Sequence, residues 1–159
     1  MPLNPFLTRD CGVAKLLEIR DLRVSYGNDT VLNGVDLDLA DGETLAIIGE
    51  SGTGKTTLGM SIMRLADARV RGTINFGGKD MLALPEREMQ AVRWNRIAMV
   101  FQNVNNVLNP VHSILNQVAE PMIEHKLQNN DEAKAKAGEL LVQFGLPPKR
   151  FSAYPHQLS

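Results

Sequence analysis

The segment Gly49-Glu50-Ser51-Gly52-Thr53-Gly54-Lys55-Thr56-Thr57 carries the groups needed to hold a polyphosphate. Gly49, Gly54, Lys55 and Thr56 fill the fixed positions of the phosphate-loop pattern G-x-x-x-x-G-K-[ST]. Glycines let the backbone turn tightly and bring several N–H groups close to phosphate oxygens. Lys55 places a point positive charge near the terminal phosphates. The Thr56 hydroxyl is a hard oxygen of the kind Mg²⁺ prefers. The dinucleotide pattern G-x-G-x-x-G is not met, because Thr57 stands where the third glycine would follow Gly52 and Gly54.

A glycine-rich turn with an exposed lysine could meet this spacing, so the flanking elements must decide. Upstream, Thr44-Leu45-Ala46-Ile47-Ile48 is a short apolar run of the kind that forms a buried parallel strand. Downstream, Leu58, Ile62 and Leu65 repeat at helical spacing. The expected order is strand, loop, helix. Such a helix points its free N–H groups and positive dipole end at an anion.

Further elements surround this unit. Leu17, Ile19, Leu22 and Val24 suggest a half-buried strand, Gly27-Asn28-Asp29 a turn, and Val35, Leu37 and Leu39 a second strand. Asp41-Gly42 is a hairpin signal leading into the run before the loop. Thr73–Phe76 reads as a short strand and Gly77-Gly78 as a turn. Pro85 to Trp94 reads as a helix, and Ile97–Phe101 as an apolar strand ending at Gln102. Trp94 reads as a packing residue. Ser113 can cap a helix reaching about Glu120, where Pro121 interrupts. A last helix, capped by Asn130 or Asp131, lines one face with Ala133, Ala137, Leu140, Leu141 and Phe144 and stops at Gly145 and Pro147.

Composition sets the bounds. The 159 residues suffice for one domain, and 43% hydrophobic with 22% charged residues is ordinary for a globular chain. A net charge of −1 gives no reason to expect nucleic acid as a partner. The single cysteine, Cys11, rules out an intrachain disulfide framework and fits a reducing compartment. No apolar run reaches membrane-helix length, so membrane work would go through a partner. His112, His125 and His156 lack metal-ligand spacing and none reads as catalytic.

Several stretches together resemble the nucleotide-binding subunits of ABC transporters, most closely those of dipeptide, oligopeptide and nickel importers. Val24-Ser25-Tyr26-Gly27 lies one hairpin ahead of the loop. The loop departs from the usual one only in having Thr53 and Thr56 where serine is common. Ile97-Ala98-Met99-Val100-Phe101-Gln102 resembles the strand that ends in the Q-loop glutamine. Leu108-Asn109-Pro110 and Tyr154-Pro155-His156-Gln157-Leu158-Ser159 resemble stretches of the peptide-importer branch. The similarity runs from about Leu16 to Ser159.

The resemblance implies an α/β fold: the N-terminal portion of a P-loop NTPase nucleotide-binding domain. That portion holds an antiparallel β subdomain, the P-loop strand and helix, and the start of a helical subdomain, with an incomplete core sheet. Residues 1–15 would be a loose tail, 16–102 the ATP-binding core portion, and 103–159 the start of the helical subdomain. The cofactors implied are ATP and Mg²⁺. Tyr26 would stack on adenine, residues 49–57 would hold phosphates, and Thr56 and Gln102 would reach the metal. The partners implied are membrane permease subunits and a second ATP-binding subunit, identical or paralogous. The location implied is cytoplasmic, on the inner face of the cell membrane.

Leu158-Ser159 matches the first two residues of that family's signature Leu-Ser-Gly-Gly-Gln. No run of four apolar residues followed by Asp occurs among the 159 residues, and the resemblance supplies no catalytic Glu or switch histidine here. Hydrolysis by this chain alone is therefore expected to be negligible. The incomplete sheet is expected to favour self-association. A non-catalytic remnant, a regulatory module and an unrelated soluble NTPase are the alternatives. GTPases would show D-x-x-G and N-K-x-D, which are absent. A small-molecule kinase would need an acceptor-binding apparatus that no segment supplies.

Overall fold

The computed structural model describes residues 15–101, 108–125 and 127–158. They fall into two compact units, one ending at Gln90 and one beginning at Ala91. The expected boundary at Gln102 lies outside the described residues, as do Gln102 itself and Cys11.

The first unit is built on an antiparallel sheet in the order β2-β1-β3-β4. Its strands are β1 (Lys15–Tyr26), β2 (Asp29–Ala40), β3 (Arg69–Phe76) and the short β4 (Lys79–Asp80). Strand β1 buries Leu17 and Ile19, then Leu22 and Val24. Those two pairs are out of phase by one residue, which in a flat strand would turn one pair to solvent. A bulge at Asp21 (φ +44°) absorbs the slip, and the pairing register shifts there against both neighbours. The Asp21 N–H donates to Asp36 Oδ1 at 2.7 Å. Gly72 lies opposite at φ +102°, and a Cβ there would stand 2.5 Å from the Asp21 carbonyl oxygen. Only glycine fits that approach.

An ion network joins the sheet's first two strands. Arg20 Nη1 lies 2.7 Å from Asp38 Oδ1, and Lys15 Nζ lies 3.1 Å from Asp38 Oδ2. The Arg20 hydrogen bond, helped by Lys15, holds the Asp38 carboxyl below the usual carboxylate range; partial burial opposes this and loses.

Helix α1 (Lys55–Ile62) follows the loop, and α2 (Glu86–Val92) runs across the boundary after Gln90, with Leu58 and Met89 buried. Helix α1 stops one turn before the expected Leu65. Arg64 takes a left-handed conformation (φ +51°), and its guanidinium donates to the Leu84 carbonyl at 2.6 Å.

Among the described residues, neither Thr44–Ile48 nor Ile97–Phe101 pairs as a strand, apart from a bridge between Arg93 and Ile97. Asp41-Gly42 does turn, but it leads into no hairpin partner. A strand exists only through hydrogen bonds to neighbours. Without them Ile48 is 89% and Val100 91% exposed. Trp94, expected to pack, is 66% exposed.

In the second unit, α3 (Ile114–Glu124) packs on α4 (Asn130–Gln143) through Ala119, Ala133 and Ala137, with Leu115, Val118, Met122 and Ile123 around them. Small residues at the contact let the two backbones approach closely. Ser113 makes no side-chain cap; instead the Ile114 and Leu115 N–H groups donate to the Ala153 and Phe151 carbonyls. Helix α3 also continues past Pro121. Proline removes one intrahelical donor, and the apolar contacts of Met122 and Ile123 beyond it offset that loss. The cap of α4 is Asn129, one residue earlier than expected. Its side chain accepts from the Asp131 and Glu132 N–H groups, and Glu132 reaches back to Asn129 N. Phe144 is 84% exposed, not on the buried face; Phe151 instead lies against Gly138.

Candidate functional site

The loop forms around its own backbone. Thr53 Oγ1 donates to the Glu50 carbonyl at 2.9 Å, and the Thr53 N–H reaches the same oxygen at 3.4 Å. A Cβ on Gly49 would lie 2.9 Å from Thr53 Oγ1, so a side chain there would displace the hydroxyl that closes this turn. Gly52, at the exposed tip beside Ser51, takes φ +83°.

Gly54 caps α1 at φ +90°, with no side-chain cap on the helix and no acidic residue in the first turn. No cap side chain and no first-turn acid thus compensates the positive end of the helix dipole among the described residues. The Leu58 N–H donates to the Gly54 carbonyl at 2.8 Å, closing the first turn over the buried Leu58. Ser61, also buried, donates to the Thr57 carbonyl at 2.7 Å. These contacts fix the start of the helix.

Lys55 folds back across the loop. Its Nζ donates to the Gly49 carbonyl at 2.7 Å and the Glu50 carbonyl at 2.6 Å, with Thr53 Oγ1 at 3.4 Å. The ammonium is therefore held at the loop's mouth by backbone oxygens. Thr56, one residue on, is exposed.

Strand β2 braces the loop from outside. A Cβ on Gly54 would meet Leu32 Cδ2 at 2.6 Å and Val31 Cγ1 at 3.1 Å. Sequence reasoning singled out neither residue, since two apolar residues in a strand carry no signal of what they touch. Tyr26 closes the same hairpin, pairs with Asp29 and is partly exposed. The structure thus gathers Gly49, Glu50, Thr53, Gly54 and Lys55 into one loop with Thr56 and Thr57 on the first helical turn. It links Tyr26 to that loop through β2. Gln102 lies outside the described residues. Of the histidines, His125 Nδ1 lies 3.1 Å from Asn95 Nδ2, and the His156 ring stacks on Tyr154 with centroids 6.0 Å apart.

Residues 32–159 match the family described as ABC transporter, which covers the loop, α1 and the whole second unit. The chain belongs to the ABC transporter family. This ABC transporter chain is 41% identical over 161 residues to the peptidoglycan transport ATP-binding protein YejF of Agrobacterium fabrum, covering 95% of this chain and 30% of that protein. It is 40% identical over 157 residues to the oligopeptide transport ATP-binding protein OppD of Bacillus subtilis, covering 92% of this chain and 44% of that one. The chain therefore spans less than half the length of these curated relatives.

Two solved structures share the fold. One is an ATP-binding cassette dimer in a post-hydrolysis state with ADP and Pi, with a TM-score of 0.71 at 24% identity; it covers 90% of this chain and 63% of that chain. The other is an ATP-binding subunit of an ABC transporter, with a TM-score of 0.62 at 26% identity and coverages of 91% and 56%. The α/β reading, with an antiparallel sheet, loop and helices forming part of such a domain, stands on this likeness.

Proposed function

We propose that this chain is the ATP-binding N-terminal portion of an importer subunit that couples ATP binding and hydrolysis to uptake of peptides or a related solute. The observation that carries the reading is the loop itself, with an unopposed helix N-terminus and the Lys55 ammonium at its mouth. Residues 49–57 would receive the phosphates on backbone N–H groups. Lys55 would exchange its two carbonyl partners for phosphate oxygens. Tyr26 would lie against the adenine ring.

The donors present fit Mg²⁺ in one limited way. Among the described residues no cluster of three His, Cys, Asp or Glu could hold a metal. The exposed Thr56 hydroxyl is a hard oxygen at the phosphate end of α1, which suits an ion carried mainly by phosphates and water. Bound there, the ion would neutralise phosphate charge. Gln102 is proposed as a further contact. The name of one relative, an oligopeptide transport ATP-binding protein, supports peptides as cargo, and the dimeric solved neighbour supports a second ATP-binding subunit; membrane permease subunits are proposed as the further partners. No described helix is long and apolar enough to cross a membrane, so contact with the inner face of the membrane would come through the permease.

Calorimetric titration with Mg-ATP tests the reading. Lys55→Ala removes a charge-assisted hydrogen-bond donor, a contribution of roughly 1.5–3 kcal/mol, part of which is already engaged by the two carbonyls. Affinity should fall about tenfold or more. Unchanged affinity would place the nucleotide elsewhere.

A further inference from the structure

The Gln117 side chain makes three hydrogen bonds among the described residues, and these reach back to one turn. Its Oε1 accepts from the Asn109 N–H at 2.7 Å. Its Nε2 donates to the Asn109 carbonyl at 3.0 Å and to the His112 carbonyl at 2.8 Å. A backbone N–H can only donate and a carbonyl can only accept, so these partners fix which end of the amide is which. The turn is tied internally as well: the Val111 N–H donates to Asn109 Oδ1 at 3.1 Å and the His112 N–H to the Asn109 carbonyl at 3.3 Å.

The turn shapes something. His112 stands at one side of a groove of about 310 Å³ between α3 and α4. Ala119 and Ile123 line it, with Glu120, Glu124, Asn130 and Lys134 around them. Val111, next to His112, is exposed.

We propose that Gln117 is a positioning residue, an amide latch that holds the Asn109–His112 turn to α3 and thereby sets the His112 wall of the groove. It acts through the turn and not through its own contact with anything in the groove. The chemistry is specific to a long primary amide. Asparagine is too short to span the same gap, and glutamate would set a carboxylate against two carbonyl oxygens. The proposal is independent of the nucleotide reading, since every atom it uses lies in the second unit.

Residue-resolved amide hydrogen exchange on the 159-residue chain tests it, with Gln117→Met and Gln117→Ala compared with the parent. Methionine keeps the length and helix preference of glutamine but makes none of the three bonds. In both variants the Asn109 and His112 amides should exchange about tenfold faster. The Ala133 amide of α4, bonded to the Asn129 carbonyl, should keep its protection. Unchanged exchange at Asn109 would overturn the latch. So would acceleration in the alanine variant alone, which would reflect helix packing. Equal acceleration at Asn109 and Ala133 in both variants would also overturn it, because Gln117 would then support the whole unit and not one turn.

Discussion

Gly54 and Gly52 allow the loop's steric requirements to be separated from its conformational ones. Both take left-handed backbone angles, φ +90° and φ +83°. Alanine at either position should cost about 1–2 kcal/mol on that ground alone. Only Gly54 is also crowded, because a Cβ there would meet Leu32 Cδ2 at 2.6 Å and Val31 Cγ1 at 3.1 Å, whereas nothing lies within 4 Å of one on Gly52. Overpacking of that kind adds roughly 1–3 kcal/mol. Gly54→Ala should therefore destabilise the first unit by about 2–5 kcal/mol and Gly52→Ala by about 1–2 kcal/mol. Urea unfolding read by circular dichroism measures the difference. Shortening Leu32 should relieve the clash, so Leu32→Ala with Gly54→Ala should cost less than the two single changes added together. Equal destabilisation by the two glycine substitutions, or strict additivity in the double variant, would refute β2 as the brace of the loop.

Other expectations follow from the same geometry. Gly72→Ala would push a Cβ to 2.5 Å from the Asp21 carbonyl at the bulge, and should cost at least about 3 kcal/mol in urea unfolding or prevent folding; a variant as stable as the parent would mean that the bulge can relax. Asp38 titrates below the ordinary carboxylate range when folded, because Arg20 and Lys15 favour its charged form. Its contribution is therefore present above the unfolded value near pH 4 and is lost as pH falls through the lower folded value. The stability gap between the parent and Asp38→Asn should be constant near neutral pH and close below about pH 4, and a gap independent of pH would remove Asp38 from the account. Tyr26→Ala should weaken Mg-ATP binding about tenfold while leaving inorganic triphosphate within about twofold, by calorimetry; equal losses would mean that the ring does not contact the base.

What could be read from the sequence divides by the range of the forces involved. The loop was legible because its conformation is set locally: left-handed angles at Gly52 and Gly54, and a lysine that donates to carbonyls only five and six residues before it. Strands β1 and β2 were legible from alternation, but the bulge at Asp21, which shifts the buried phase between Ile19 and Leu22, was not. The helix caps were less so. Ser113 has the right chemistry for a cap, yet the carbonyls of Ala153 and Phe151, distant in sequence, take the donors it would have served. Pro121 reads as a stop until the apolar contacts beyond it are known. Thr44–Ile48 marks the limit of such reading. Its five residues have the composition of a central strand, and composition states only what a segment would bury if neighbours on both sides bonded to it. Leu45, Ile47 and Ile48 are all exposed and unpaired among the described residues. The same run that announces a strand in the sequence therefore becomes, without bonded neighbours, an apolar surface beside the phosphate loop. Self-association of the isolated chain, read by sedimentation, should weaken when Ile48 is replaced by Lys, because a charge on that face opposes stacking of one copy on another. A chain that stays monomeric with Ile48 intact would show that this face is covered in solution.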